Sequence, residues 1–303
     1  MTRVLVNSGF GYPVGGPTLA WIGSIGLNGI RQDIPWGIPP AELERLLVEI
    51  VKANLDAVLI VGGWMVWYDY GVAPSFRNGE NPSPEALAQF ARQVASAAIR
   101  LGLRCVIEIG NEPTITAAYK DDPSRYARAV RECAKAMWEV APGLSVAAGS
   151  VHDLTPDSQE YLKDVINYGI PERTIVAVHP YRMGNRPWDG EADGSGIRAK
   201  VAWLRSIWPG EIAVSEMGWH TAERSEKAGF LGLCPRRVRW NDEQVAEFWR
   251  WELDFWQKAR ARFVVVFQLN DGPTDEMENR FGIRYFDGTP KPVASVFKKA
   301  MAA

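Results

Sequence analysis

One feature constrains the fold more than any other: short Val- and Ile-rich runs alternate with longer segments whose apolar residues recur at helical spacing, from one end of the chain to the other. The runs fall at residues 4–7, 30–34, 57–61, 105–109, 145–149, 174–178, 212–215 and 263–269. Helix-like segments follow near 19–24, 40–54, 84–101, 122–143, 155–169, 197–207, 241 onward and 292–300. Several open with a cap residue and proline, as in Ser83-Pro84 and Asp122-Pro123, or with the capping box Asn241-Asp242-Glu243-Gln244. Strict alternation demands a parallel sheet covered by helices, and eight units predict its closure. No linker, repeat or composition break divides the 303 residues. The expected fold is α/β, a single (β/α)8 TIM barrel over residues 1–303.

The totals exclude several functions. Hydrophobic residues make up 47% and charged residues 23%, enough for one large core. A net charge of -2 gives no electrostatic basis for binding nucleic acid or an anionic membrane. The basic run Arg236-Arg237-Val238-Arg239 reads as a solvated loop. Cys105, Cys133 and Cys234 lack metal-ligand spacing, the first two on a strand and a helix and the third in a loop. The glycine-rich stretch from Gly9 to Gly16 is interrupted by Pro13 and no acid closes a following strand at the distance a dinucleotide fingerprint needs. No apolar run reaches membrane-spanning length. The first strand begins almost at Met1, so a cytoplasmic protein is expected. Oligomeric state leaves no mark in the sequence.

The fourth run carries the chemistry. If it alternates, Ile107 and Ile109 face one side while Glu108, Gly110 and Glu112 face the other. The strand then stops at Asn111-Glu112-Pro113 with an acid at its tip. The seventh run ends at Glu216, and in a closed barrel these two strand ends look at each other across the mouth. Two carboxyls about 5–5.5 Å apart meet the need of retaining glycoside hydrolysis, one acid donating a proton while the other attacks the anomeric carbon. Like charge and burial are expected to raise the proton affinity of one of them. Loop tryptophans (Trp36, Trp64, Trp67, Trp188, Trp219 and Trp240) mostly follow strands and so gather at the same end, where flat rings suit sugars.

These residues together resemble a known family. Asn111-Glu112-Pro113, Ser215-Glu216-Met217-Gly218-Trp219, His179-Pro180-Tyr181, Ile30-Arg31 and the ending from Phe281 to Pro292 are similar to the motifs of clan A glycoside hydrolases, with family 39 or family 5-like members nearest. The resemblance spans the chain. It implies a retaining glycosidase for a β-linked glycoside or oligosaccharide, with Glu112 as acid/base and Glu216 as nucleophile. Asn111 would bind the sugar 2-hydroxyl, Arg31 and Tyr181 would hold Glu216, and His179 would line the pocket. Glu108, if inward, needs Arg31 as partner. No cofactor and no metal are expected.

One departure stands out. Clan members place an aromatic platform on strand eight, but Gln268 and Asn270 hold the inward parity here and Phe267 is expected to face the helices. Trp64 or Trp219 would then have to supply the stacking face. A zinc hydrolase is disfavoured, because His152, His179 and His220 are unpaired and on different strands. His152 and His220 fall outside the expected catalytic set. A carbohydrate-binding barrel with little or no hydrolytic activity remains the alternative, since this fold hosts many chemistries.

Overall fold

The computed structural model describes residues 2–8, 15–62, 82–116, 119–181, 186–191, 196–221, 224–228, 234–238, 240–273 and 280–300. Trp64 and Trp67 lie outside them. The elements run β1 (Arg3–Asn7), α1 (Gly16–Ser24), β2 (Gly29–Asp33), α2 (Pro40–Lys52), β3 (Asp56–Val61), α3 (Pro84–Arg100), β4 (Cys105–Ile109), α4 (Pro123–Val140), β5 (Ser145–His152), α5 (Pro156–Asn167), β6 (Ile175–His179), α6 (Ile197–Ile207), β7 (Ile212–Met217), β8 (Arg224–Ala228), β9 (Cys234–Val238), α7 (Asp242–Lys258), β10 (Phe263–Val266) and α8 (Ala294–Ala300). Eight parallel strands close in the order β1-β10-β7-β6-β5-β4-β3-β2.

The same start signal recurs along the chain. Ser83, Asp122 and Thr155 each accept a hydrogen bond from the backbone N–H three residues on, followed by proline in the first turn of α3, α4 and α5. Asn241 and Gln244 form the reciprocal capping box of α7, both bonds at 2.9 Å. Gly102, with φ +70°, turns the chain out of α3 in a conformation that costs other residues more. Leu43, Leu46, Leu47 and Ile50 of α2 are buried against the barrel, each stabilising by about 1.5–3 kcal/mol.

Inside the ring the side chains form levels. Leu5, Val58, Ala147, Ile175, Ala177, Ala213, Phe263 and Val265 make an apolar plug. Toward the strand C-termini, Asn7, Arg31, Glu108, Ser150, His179 and Ser215 are all buried, which makes the next level polar. Ile107 and Ile109 join the outer core, so the face of β4 that carries Glu108 is the inner one.

Four parts of the chain depart from the sequence expectation. The stretch before α7, expected as a loop, contains the antiparallel hairpin β8–β9, and Cys234 begins its second strand. β5 runs three residues beyond Gly149, and β7 includes Glu216 rather than stopping short of it. β10 stops at Val266, so alternation no longer governs the next residue. Phe267 packs edge-on against Tyr181 and Phe281, on the side of the mouth rather than of the helices.

Candidate active site

Two irregularities in the ladder shape the site. Between β5 and β6, Ala148 pairs Val176 and Val151 pairs Val178, so Gly149 and Ser150 together oppose Ala177. A Cβ on Gly149 (φ +106°) would lie 2.7 Å from the Ala177 carbonyl oxygen, which reserves this position for glycine. Between β7 and β10, Val214 pairs Val264 and Met217 pairs Val266, leaving Ser215 and Glu216 opposite Val265. Each bulge sends two consecutive residues inward. Simple alternation from Ala147 would have turned His152 toward the helices.

Glu216 is fixed by donors that do not titrate near neutrality. Arg31 Nη1 donates to its Oε1, Asn7 Nδ2 lies 3.2 Å from the same oxygen, and Tyr181 Oη donates to Oε2 at 3.0 Å. Arg31 is fully buried and also bonds Glu108 Oε2 at 2.6 Å and Asn111 Oδ1 at 2.7 Å. Burial alone would weaken the guanidinium, but Glu108 and Glu216 outweigh it and hold it charged. Glu108 stays below the usual carboxylate range, since Arg31 outweighs burial. Burial lifts Asp33, at the end of β2, to about 6, with Arg31 offsetting part of the rise. Burial beside Glu216 and Glu112 raises the Tyr181 phenol well above its ordinary value.

Glu112 sits in a tight turn beyond β4 with φ 46°, its carbonyl accepting from Ile115 and Thr116 at 3.0 Å each. Tyr126 ties the base of that turn to the bulge: its hydroxyl donates to the Ile109 carbonyl at 2.6 Å and accepts from the Gly149 N–H at 3.0 Å. The Glu112 carboxyl faces two imidazoles. Its Oε1 is 2.8 Å from His152 Nδ1 and 3.1 Å from His179 Nδ1. His179 Nε2 is held by Ser215 Oγ at 3.1 Å. Burial pushes the Glu112 carboxyl up, yet the hydrogen bonds from His152 and His179 outweigh it and hold it well below the carboxylate range. The expectation that like charge would leave one glutamate with raised proton affinity does not describe Glu112.

Glu112, His179 and Glu216 each offer a donor atom, and these lie within 4.8 Å of one another. The set has the residue types of a metal site. However, Arg31 sits against Glu216, arginine, tyrosine and asparagine hydrogen bonds occupy both of its oxygens, and two imidazoles meet Oε1 of Glu112. A second cation there would be opposed by the first.

The structure thus gathers Arg31, Asn111, Glu112, His179, Tyr181 and Glu216, and adds Asn7, His152, Ser150 and Ser215, which sequence reasoning missed. Asn7 had a signal in its place at the tip of β1. His152 had none, because the bulge sets its direction. Gln268 is buried, its N–H donating to the Phe281 carbonyl at 3.2 Å. Trp219 is 4% exposed and packs against Phe248 and Trp249 of α7, so it presents almost no face for a sugar. Trp188 and Trp240 meet the same Phe248 edge-on.

No protein-family model and no curated protein matches the chain. Solved structures do. A family 39 glycoside hydrolase from the gut symbiont Bacteroides cellulosilyticus WH2 is 18% identical with a TM-score of 0.69, covering 98% of this chain and 63% of that one. An exo-beta-1,4-mannosidase from Opitutaceae bacterium strain TAV5 is 16% identical with a TM-score of 0.68, covering 100% and 59%. GH5_18 from Streptomyces cattleya in complex with GlcNAc is 15% identical with a TM-score of 0.68, covering 99% and 80%. The chain therefore spans about three-fifths of the length of the first two. Its barrel is the one found in glycoside hydrolases of family 39 and in GH5_18.

Proposed function

We propose that the chain is a retaining glycoside hydrolase acting on a β-linked glycoside or oligosaccharide, with no metal or organic cofactor. The observation that carries this reading is the pair of carboxyls at the ends of facing strands, with an oxygen of each within 4.8 Å of the other. Such closeness supports double displacement, in which the carboxyl groups lie about 5–5.5 Å apart, over inversion, which needs about 6.5–9.5 Å to admit a water. The sugar-bound GH5_18 and the mannosidase support a carbohydrate substrate, being proteins of the same fold.

In this reading Glu216, held by Arg31, attacks the anomeric carbon while Glu112 protonates the departing oxygen. The glycosyl ester to Glu216 is then opened by water, whose proton returns to Glu112. Asn111 turns its carbonyl oxygen to Arg31, so its Nδ2 is the atom offered to the sugar 2-hydroxyl. Phe267, beside Tyr181, brings an aromatic ring to the β10 side of the mouth.

Nitrophenyl glycosides and polysaccharides, screened with proton NMR on the product anomer, test substrate and stereochemistry together. Glu216→Ala should abolish turnover. Azide added to Glu112→Ala should restore rate and give a glycosyl azide of retained configuration. Wild-type rates in both Glu112→Gln and Glu216→Gln would sink the assignment. Sugar binding by calorimetry without cleavage would instead favour a carbohydrate-binding barrel.

A further inference from the structure

Glu112 poses a difficulty for its own role. A general acid must hold a proton at working pH, and two imidazoles at Oε1 oppose that. The two imidazoles differ in their surroundings. His179 is wholly buried and both ring nitrogens meet protein atoms, Glu112 on one side and Ser215 on the other. The His152 side chain is 38% exposed, so this ring can exchange protons with water. Among the described residues Glu112 Oε2 has no hydrogen-bond partner, which leaves it for a substrate oxygen.

We propose that Glu112 and His152 act as one proton-holding couple, in which His152 is a positioning residue that stores the proton between turnovers and Glu112 exchanges it with the substrate. The proposal rests on the glycosidase reading for the role of Glu112. The charged groups around the ring favour the imidazolium. Glu112 faces it from the turn after β4, Glu216 from β7, and Asp153 adjoins it just beyond β5, where Lys200 of α6 pairs with Asp153 at 3.3 Å. The Tyr181 ring packs 6.0 Å away and His179 shares Glu112. The hydrogen bond to Glu112 raises His152 above its ordinary value against the effect of burial. Two groups coupled this closely titrate as a pair.

The steps balance. As the bond from the anomeric carbon to the leaving oxygen breaks and the bond to Glu216 forms, the couple's proton goes to the leaving oxygen. His152 ends neutral and Glu112 ionised. In the second step a water oxygen bonds to the anomeric carbon, the ester to Glu216 breaks, and the water proton returns to the couple. His152 then recovers the imidazolium.

Two measurements test this. In enzyme with 15N-labelled histidine, NMR should show His152 titrating above about 6.5 in wild type and falling to or below it in Glu112→Gln. Identical titration in the two proteins overturns the couple. His152→Gln keeps a donor for Oε1 but cannot carry the proton. Its alkaline limb of kcat/KM should move to lower pH by about one unit or more. At pH 7 it should lose about tenfold or more on aryl glycosides with poor leaving groups, and little on dinitrophenyl glycosides, whose departure needs no proton. A uniform loss with the limb unmoved overturns the proposal. Absence of cleavage by wild type at any pH defeats the glycosidase reading, and the NMR titration still decides the couple.

Discussion

The two glutamates at the mouth share His179, 3.1 Å from Glu112 and 3.8 Å from Glu216, but their hydrogen-bond partners differ in kind. Glu216 is gripped by an arginine, an asparagine and a tyrosine, none of which changes charge near neutral pH. Glu112 is faced by two imidazoles, the side chains most apt to change charge there. Glu216 is held by groups of fixed charge, and Glu112 bonds groups that can pass a proton. The difference supports the proposed roles: a nucleophile needs constancy, and an acid/base needs exchange.

Arg31→Met should break the comparison most severely, because it removes the one cation shared by Glu216 and Glu108. Leaving two buried carboxylates without their counter-charge costs about 3–5 kcal/mol, read as a fall in the denaturation midpoint. The pH dependence has a definite sign. Glu108 is depressed in the folded protein, so its stabilisation is present above its unfolded value of about 4.3 and lost as pH falls through the folded one. The gap between wild type and variant should therefore narrow in acid. A gap that stays equal as pH falls from 7 to well below about 4 would contradict this account.

Trp219→Ala separates packing from sugar recognition. Removing a buried indole from against Phe248 and Trp249 should cost about 3 kcal/mol while KM for the folded fraction stays within about twofold. A KM change with intact stability would restore the stacking role. Tyr181→Phe sharpens the contrast at the smallest scale. Losing one hydrogen bond to Glu216 should cost about 1 kcal/mol of stability and about tenfold in rate, with the alkaline limb unmoved. A limb that moved as in His152→Gln would merge the two neighbourhoods.

Much of the architecture was legible in the sequence, because a cap followed by proline and a Val/Ile run followed by helical spacing are local signals that the fold obeys. Glu108 meeting Arg31 was also readable, since parity on β2 and β4 holds without interruption. What escaped depends on geometry that periodicity does not encode. His152 lies beyond the run 145–149, and the bulge that aims it inward leaves no mark in periodicity; Phe267 is expected under the helices because the eighth run extends three residues past the end of β10. Of the loop tryptophans, Trp188, Trp219 and Trp240 converge on Phe248, and Trp36 packs against Phe90. Counting aromatic residues near strand ends does not distinguish the inner rim from the outer.

The doubled inward positions on β5 and β7 have a consequence for capacity. In a closed ring of eight strands each interior level takes four side chains, contributed by alternate strands. By spending one extra residue in each of two strands, the ring seats Ser150 beside Glu108 and both Ser215 and Glu216 beneath the mouth without widening. The polar machinery is thus denser than the strand number alone would permit, and its crowding is set by how many residues lie between ladder partners, not by which residues they are.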